Sequence, residues 1–148
     1  MTEFKPLEFT EIDIVLGMMQ EFYAIDNYPI DLEKSRKLFH YFISDEKLGK
    51  AFVVYNDDQM VGYFILTYIF SFEYQGIVTF IDELYLKSTH RGKGLGNKTV
   101  VFAQEFCRNK GDKMMYLEVE PHNKNAQKLY LANHFEEHNR NILKHKLY

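Results

Sequence analysis

Apolar positions along this chain recur at two spacings, and the switches between them mark its elements. A short strand over Phe4–Phe9 is followed by Thr10, which can cap a helix running from Glu11 to about Ala24. The turn Asn27-Tyr28-Pro29 ends that segment, and Asp31 can cap a second helix reaching about Ile43, with Leu32, Leu38, Phe39 and Phe42 on one face. Strand patterning then takes over. Ala51–Tyr55, the turn Asp57-Asp58 and Gln59 to about Phe72 read as a hairpin, with a third strand over Ile77–Leu86. Helical spacing returns between about Asn97 and Lys110, where Phe102, Ala103, Phe106 and Cys107 recur before the helix stop at Gly111. Lys113–Val119 should lie beside the strand that ends at Leu86. Asn123–Asn133 should be a helix, and Phe135–Tyr148 a closing hairpin around Asn139-Arg140-Asn141. The expectation is one domain over residues 1–148, of class α+β, with helices crossing a largely antiparallel sheet.

The chemistry concentrates at residues 91–96, Arg-Gly-Lys-Gly-Leu-Gly, where an apolar strand ends and a helical pattern begins. Glycines let the backbone approach an anion with no Cβ in the way, and the free N–H groups of the first helical turn point at it under a favourable dipole. Arg91 and Lys93 add positive charge. A dinucleotide fingerprint would need a third glycine where Asn97 stands. A P-loop would need a glycine before a Lys-Thr pair, and Asn97 precedes Lys98-Thr99 instead. The loop also comes late in the chain, with no later apolar strand ending in a magnesium-binding Asp. What remains is Arg-x-x-Gly-x-Gly, carried by Arg91, Gly94 and Gly96, and it is similar to the pyrophosphate-binding loop of the GNAT-family N-acetyltransferases.

The resemblance extends over about residues 78–135. Leu117-Glu118-Val119, then Asn123 and Ala126, then Leu129-Tyr130 and Phe135 are similar to the second signature of that family, and Phe80–Leu86 is similar to the strand before its loop. His134 stands where the family usually has glycine, and Asn133 beside it tolerates a left-handed backbone. The resemblance implies the GNAT fold, a mostly antiparallel central sheet of about six to seven strands flanked by helices, and acetyl-CoA as cosubstrate. It implies that Arg91, Gly92, Lys93, Gly94, Leu95, Gly96 and Asn97 hold the pyrophosphate, with Asn123 as a further CoA contact or simply an N-cap. It also implies that the backbone of Leu84, Tyr85 and Leu86 pairs with the pantetheine amides as another strand would.

Acetyl transfer to an amine needs a proton acceptor before nitrogen attacks and benefits from a proton donor at the departing sulfur. Tyr130 resembles the tyrosine that many family members use as that acid; it also fits an apolar stripe with Ala126 and Leu129. Glu118, twelve residues before Tyr130, resembles the base of ribosomal-protein alanine N-acetyltransferases. Asp82 resembles the strand carboxylate of diamine N-acetyltransferases, with Glu83 next to it. Alternation along a strand sends Asp82 and Glu83 to opposite faces, and a bulge would exchange them. Glu83 and Glu118 therefore stand level as the base, ahead of Asp82.

At 148 residues, 46% hydrophobic and 26% charged, the chain can bury a real core. A net charge of −3 argues against a partner held by its phosphate backbone and is compatible with a cationic substrate. The single cysteine, Cys107, reads as a core filler, and His134 and His138 lack an obvious third ligand, so no metal is expected. No apolar run reaches the roughly 18 residues of a membrane span, and the start has no signal-peptide core, which gives a cytoplasmic expectation with no membrane or nucleic-acid partner. Glu21, Asp26, Tyr28 and Asp31 lie in the expected acceptor region, either to recognise an amine or as caps and solvated surface. The acceptor expected is a primary amine of a small molecule or peptide, and a homodimer stays open. The competing function is a non-catalytic acyl-CoA sensor or interaction module that kept the cradle without the chemistry.

Overall fold

Apolar runs bounded by turns build a five-stranded sheet in the order β1-β2-β3-β4-β5, from strands β1 (Thr2–Pro6), β2 (Gly49–Asn56), β3 (Gln59–Ser71), β4 (Gly76–Leu86) and β5 (Met114–Leu117). The computed structural model describes all 148 residues. β1 to β4 run antiparallel, and β5 joins β4 in parallel. The helices are α1 (Ile12–Ile25), α2 (Leu32–Ile43), α3 (Leu95–Lys110) and α4 (Lys124–Ala132). The chain divides into two compact units, Met1–Glu118, which holds the whole sheet with α1, α2 and α3, and Val119–Tyr148, which holds α4.

Within the first unit the two sheet faces are covered by different helices. Ala51, Val53, Tyr63, Ile65 and Tyr85 pack with Ile12, Val15, Leu16 and Met19 of α1 and Phe39 of α2. The alternate positions face the other way, where Phe52 and Phe64 stack at 4.9 Å and meet Phe102 of α3, with Phe106 beside Phe52. Cys107 is buried in this second layer, as a core filler should be. Its neighbourhood holds Asp112, which accepts from the Thr79 hydroxyl at 2.5 Å and pairs with Lys110. Burial pushes the Cys107 thiol up to about 11, so it stays neutral and unreactive. Gly111 at φ 90° ends α3, and the Asp112 N–H closes the turn onto the Cys107 carbonyl at 3.0 Å.

Several expectations need correction. The sheet has five strands rather than six or seven, because residues 135–148 form no closing hairpin. Neither face of a strand there would carry an unbroken apolar row. Leu143 and Leu147 flank His145 on one face, while Lys144 and Lys146 interrupt Ile142 and Tyr148 on the other. The first strand ends at Pro6 instead of Phe9, and Thr10 does not cap α1. A 3-10 turn over Phe9–Glu11 precedes the helix, with the Glu11 carboxylate accepting from the Glu8 N–H at 3.0 Å. In the second unit the left-handed residue after α4 is His134, at φ 67°, while Asn133 stays at φ −102°.

Candidate functional site

The centre of the site is a bulge in β4. Opposite β3, Ile65 pairs with Glu83 and Leu66 with Ile81, so Asp82 is the extra residue. Without the bulge Ile81 and Glu83 would share a face. With it, Ile81 lies with Leu66 toward α3, while Glu83 joins Ile65 and Tyr85 on the α1 face. This decides which of the two neighbouring carboxylates meets α1.

Glu83 is gripped from two elements. The Tyr23 hydroxyl of α1 donates to Oε2 at 2.7 Å and the Tyr63 hydroxyl of β3 donates to Oε1 at 2.8 Å. Burial raises the Glu83 carboxyl above its ordinary value, the two tyrosine hydrogen bonds pull it back, and Asp82 adds to the rise. Burial, with Glu83 beside them, pushes both phenols far above their ordinary value, so they remain protonated donors. One rung further along, the Tyr85 hydroxyl donates to Glu21 Oε2 at 2.8 Å, and burial and that carboxylate push Tyr85 up to about 12. Helix and strand thus exchange bonds in both directions, Tyr23 to Glu83 and Tyr85 to Glu21. Asp82 lies outside this network; its carboxyl is raised by desolvation first and by neighbouring Glu118 second. Glu118, just past β5, is exposed.

Beyond the bulge, β4 continues without its parallel neighbour. The β4–β5 ladder stops at Ile81 and Leu117, so Leu84, Tyr85 and Leu86 pair with β3 alone and their other edge has no strand beside it. Arg91 closes the end of this edge, since its Nε donates to the Leu86 carbonyl at 2.8 Å and its guanidinium lies 5.4 Å from the centre of the Tyr85 ring. The Arg91 N–H is also occupied, donating to the Ser88 carbonyl at 3.3 Å.

The loop that follows turns on glycine. Gly92 and Gly94 have φ of 74° and 80°, the left-handed region, and a Cβ added to either would meet nothing within 4 Å. Gly94 is the N-cap of α3, whose first intrahelical bond runs from Lys98 N–H to the Gly94 carbonyl at 3.1 Å. The N–H groups of Leu95, Gly96 and Asn97 stand ahead of that bond without helical partners. α3 therefore begins two residues before the expected Asn97. Lys93 is exposed beside this turn.

In the second unit, the Asn123 side chain accepts from the Ala126 N–H at 3.1 Å and caps α4. Tyr130 packs edge-on against Phe135 with ring centres 5.7 Å apart, and burial pushes its phenol up to about 12. Of the residues expected near the acceptor, Asp31 caps α2 through the Lys34 N–H, Glu21 accepts from Tyr85, and Tyr28 is exposed. Tyr23 and Tyr63 escaped the sequence reading because a tyrosine on an amphipathic helix or a half-buried strand looks like packing. The signal for Tyr63 is the register of β3 on β4 and that for Tyr23 is the docking of α1 on β4, both invisible until the bulge is placed.

The family model for the acetyltransferase (GNAT) family matches residues 16–135, a span that runs from α1 past α4. The chain belongs to the GNAT acetyltransferase family. No curated protein matches the sequence significantly. Solved structures carry the same GNAT fold. A possible acetyltransferase from Clostridium difficile 630 superposes with a TM-score of 0.89 at 21% identity, over 99% of this chain and 98% of that one. An integron cassette protein from the mobile metagenome of Cole Harbour Salt Marsh gives 0.88 at 24%, over 98% and 90%. An aminoglycoside N-acetyltransferase in complex with CoA gives 0.83 at 17%, over 99% and 95%. No helix of this GNAT chain is long and apolar enough to cross a membrane.

Proposed function

We propose that the chain transfers the acetyl group of acetyl-CoA to a primary amine of a small molecule or peptide, by direct attack in a ternary complex. The observation that carries this reading is the loop at the head of α3, in a chain of an acetyltransferase family. A pyrophosphate requires clustered N–H donors, positive charge and room for close approach. Leu95, Gly96 and Asn97 offer the donors, Arg91 and Lys93 the charge, and the open space at Gly92 and Gly94 the room. The unpaired edge of Leu84–Leu86 suits the amides of pantetheine. Acetyl-CoA supplies an activated thioester.

Glu83 takes the role of base: it accepts a proton from the substrate ammonium, which frees the nitrogen lone pair to attack the thioester carbon. Its support over Glu118 is environmental. A half-buried carboxyl whose affinity for a proton is raised by burial is a better proton acceptor than an exposed one, while its two tyrosine bonds favour the ionised form. Tyr130 donates its phenolic proton to the sulfur as the carbon–sulfur bond breaks, the second proton shed by the acylated nitrogen restores the phenol by way of solvent, and burial keeps the phenol protonated beforehand. Asn123 contributes as the cap that fixes the start of the Tyr130 helix. The aminoglycoside N-acetyltransferase among the structural neighbours makes aminoglycosides a first acceptor class to try.

The deciding test is free-CoA release from acetyl-CoA with polyamines, aminoglycosides, amino acids and N-terminal peptides, alongside melting curves with acetyl-CoA or ATP. Acetyl-CoA should raise the Tm, ATP should leave it unchanged, and at least one amine should drive release. Stabilisation by ATP alone would reject the assignment. Binding of acetyl-CoA with no release by any amine would leave the acyl-CoA sensor as the reading.

A further inference from the structure

We infer that Tyr23 and Tyr63 are positioning residues for Glu83: held one to each carboxylate oxygen from α1 and β3, they aim the base and set the pH at which it becomes competent. The inference rests on the reading of Glu83 as the base. An ionised carboxylate has about four acceptor sites. The two hydroxyls, at 2.7 and 2.8 Å, occupy one on each oxygen. Anchoring both oxygens fixes the carboxylate plane and leaves a lone pair on each for an ammonium or a bridging water. Tyr63 is 1% exposed, so its hydroxyl has no solvent alternative.

The donors come from separate elements. Each needs a reason to stay in place. α1 is tied to β4 a second time through Tyr85 and Glu21, and the Tyr63 and Tyr85 rings lie 6.1 Å apart on the same face. The titratable and charged groups around Glu83 are therefore Tyr23 and Glu21 from α1, Tyr63 from β3, and Asp82 and Tyr85 from β4, with Glu118 beyond Asp82. Of these, only Tyr23 and Tyr63 donate a hydrogen bond to the Glu83 carboxylate. Removing either hydroxyl should favour the protonated acid, because a donor to a carboxylate stabilises its charged form.

The test uses Tyr23→Phe and Tyr63→Phe, which keep the rings and remove the hydroxyls, in protein carrying 13C at the glutamate carboxyl carbons. The Glu83 resonance, identified by its loss in Glu83→Gln, is titrated by NMR. Each variant should raise its midpoint by about one pH unit, the scale of one hydrogen bond to a charged group. The acid limb of kcat/KM, measured as free-CoA release with an amine from the panel, should move by the same amount, while Tyr74→Phe moves neither. An unchanged midpoint in a folded variant overturns the inference. If Tyr63→Phe fails to fold, Tyr23→Phe, at a half-buried position, decides. A midpoint that moves while the acid limb stays fixed also overturns it. Full activity in Glu83→Gln then identifies the base assignment as the failing step.

Discussion

Gly94→Ala separates backbone strain from ligand approach, because α3 carries its own control at the other end. Gly94 and Gly111 bracket that helix at φ 80° and 90°, and an added Cβ at either meets nothing within 4 Å. Steric clash therefore contributes nothing at either site. The remaining cost is the left-handed backbone, about 1–2 kcal/mol for a residue with a side chain. For a chain of this size that lowers the Tm by about 2–8 °C, and the two variants should fall together. Their ligand binding should diverge. At Gly94 the methyl stands in the concave turn where an anion must approach the N–H groups of Leu95 and Gly96, and losing one hydrogen bond to a charged phosphate costs about 1.5–3 kcal/mol. Acetyl-CoA affinity should fall by about 10- to 150-fold in Gly94→Ala and stay at the wild-type value in Gly111→Ala. Calorimetric titration of both variants at matched ionic strength, with melting curves of the ligand-free proteins, measures each quantity. Wild-type affinity in Gly94→Ala, or an equal loss in Gly111→Ala, refutes the phosphate cradle.

Three further outcomes are expected. Tyr130→Phe retains the ring that packs on Phe135, so acetyl-CoA binding should persist while kcat drops by about 10²-fold, read from steady-state CoA release; an unchanged kcat makes the tyrosine structural. Because burial raises the Glu83 carboxyl in the folded state, its contribution to stability is full below the unfolded value of about 4.3 and declines as pH rises through the raised one. Glu83→Gln removes that decline, so the Tm of the variant relative to wild type should improve between pH 4 and pH 7, and a gap independent of pH contradicts the raised value. Asn123→Ala deletes the α4 cap, which should cost about 1 kcal/mol and speed hydrogen exchange at the Ala126 amide, with exchange at Val100 in α3 unaffected.

Apolar spacing, caps and turn residues together located the four helices and the four antiparallel strands, because α1, α2 and α3 bury an apolar stripe and the central strands are apolar runs covered on both faces. The glycine turn at the head of α3 was equally legible, since three glycines mark the junction where a strand ends and a helix begins. Less legible was anything that depends on a partner distant in sequence. The bulge at Asp82 follows from how β4 registers against β3, so the sequence alone left Asp82, Glu83 and Glu118 in competition. Glu11 displaced Thr10 as the start of α1 because its carboxylate is also held by the Tyr55 hydroxyl at 2.7 Å, from a strand more than forty residues away. The closing hairpin failed for the opposite reason: turn residues were present at Asn139–Asn141, but the flanks lacked an apolar face to bury.

Arg91 is spent on the fold before any ligand arrives. Its bond to the Leu86 carbonyl and its place over Tyr85 tether the first residue of the loop to the strand end, so the chain entering the glycine turn has already surrendered its conformational entropy. A rigid receptor of this kind binds without an ordering step. Stopped-flow association with acetyl-CoA should accordingly be a single phase whose rate grows linearly with ligand concentration, with no plateau from a rearrangement. Arg91→Lys cannot reproduce the tether, because an ammonium lacks the planar fork that stacks on a ring while donating sideways to a carbonyl. Its expected signature is kinetic, a second and slower phase in which the loop settles after the first encounter.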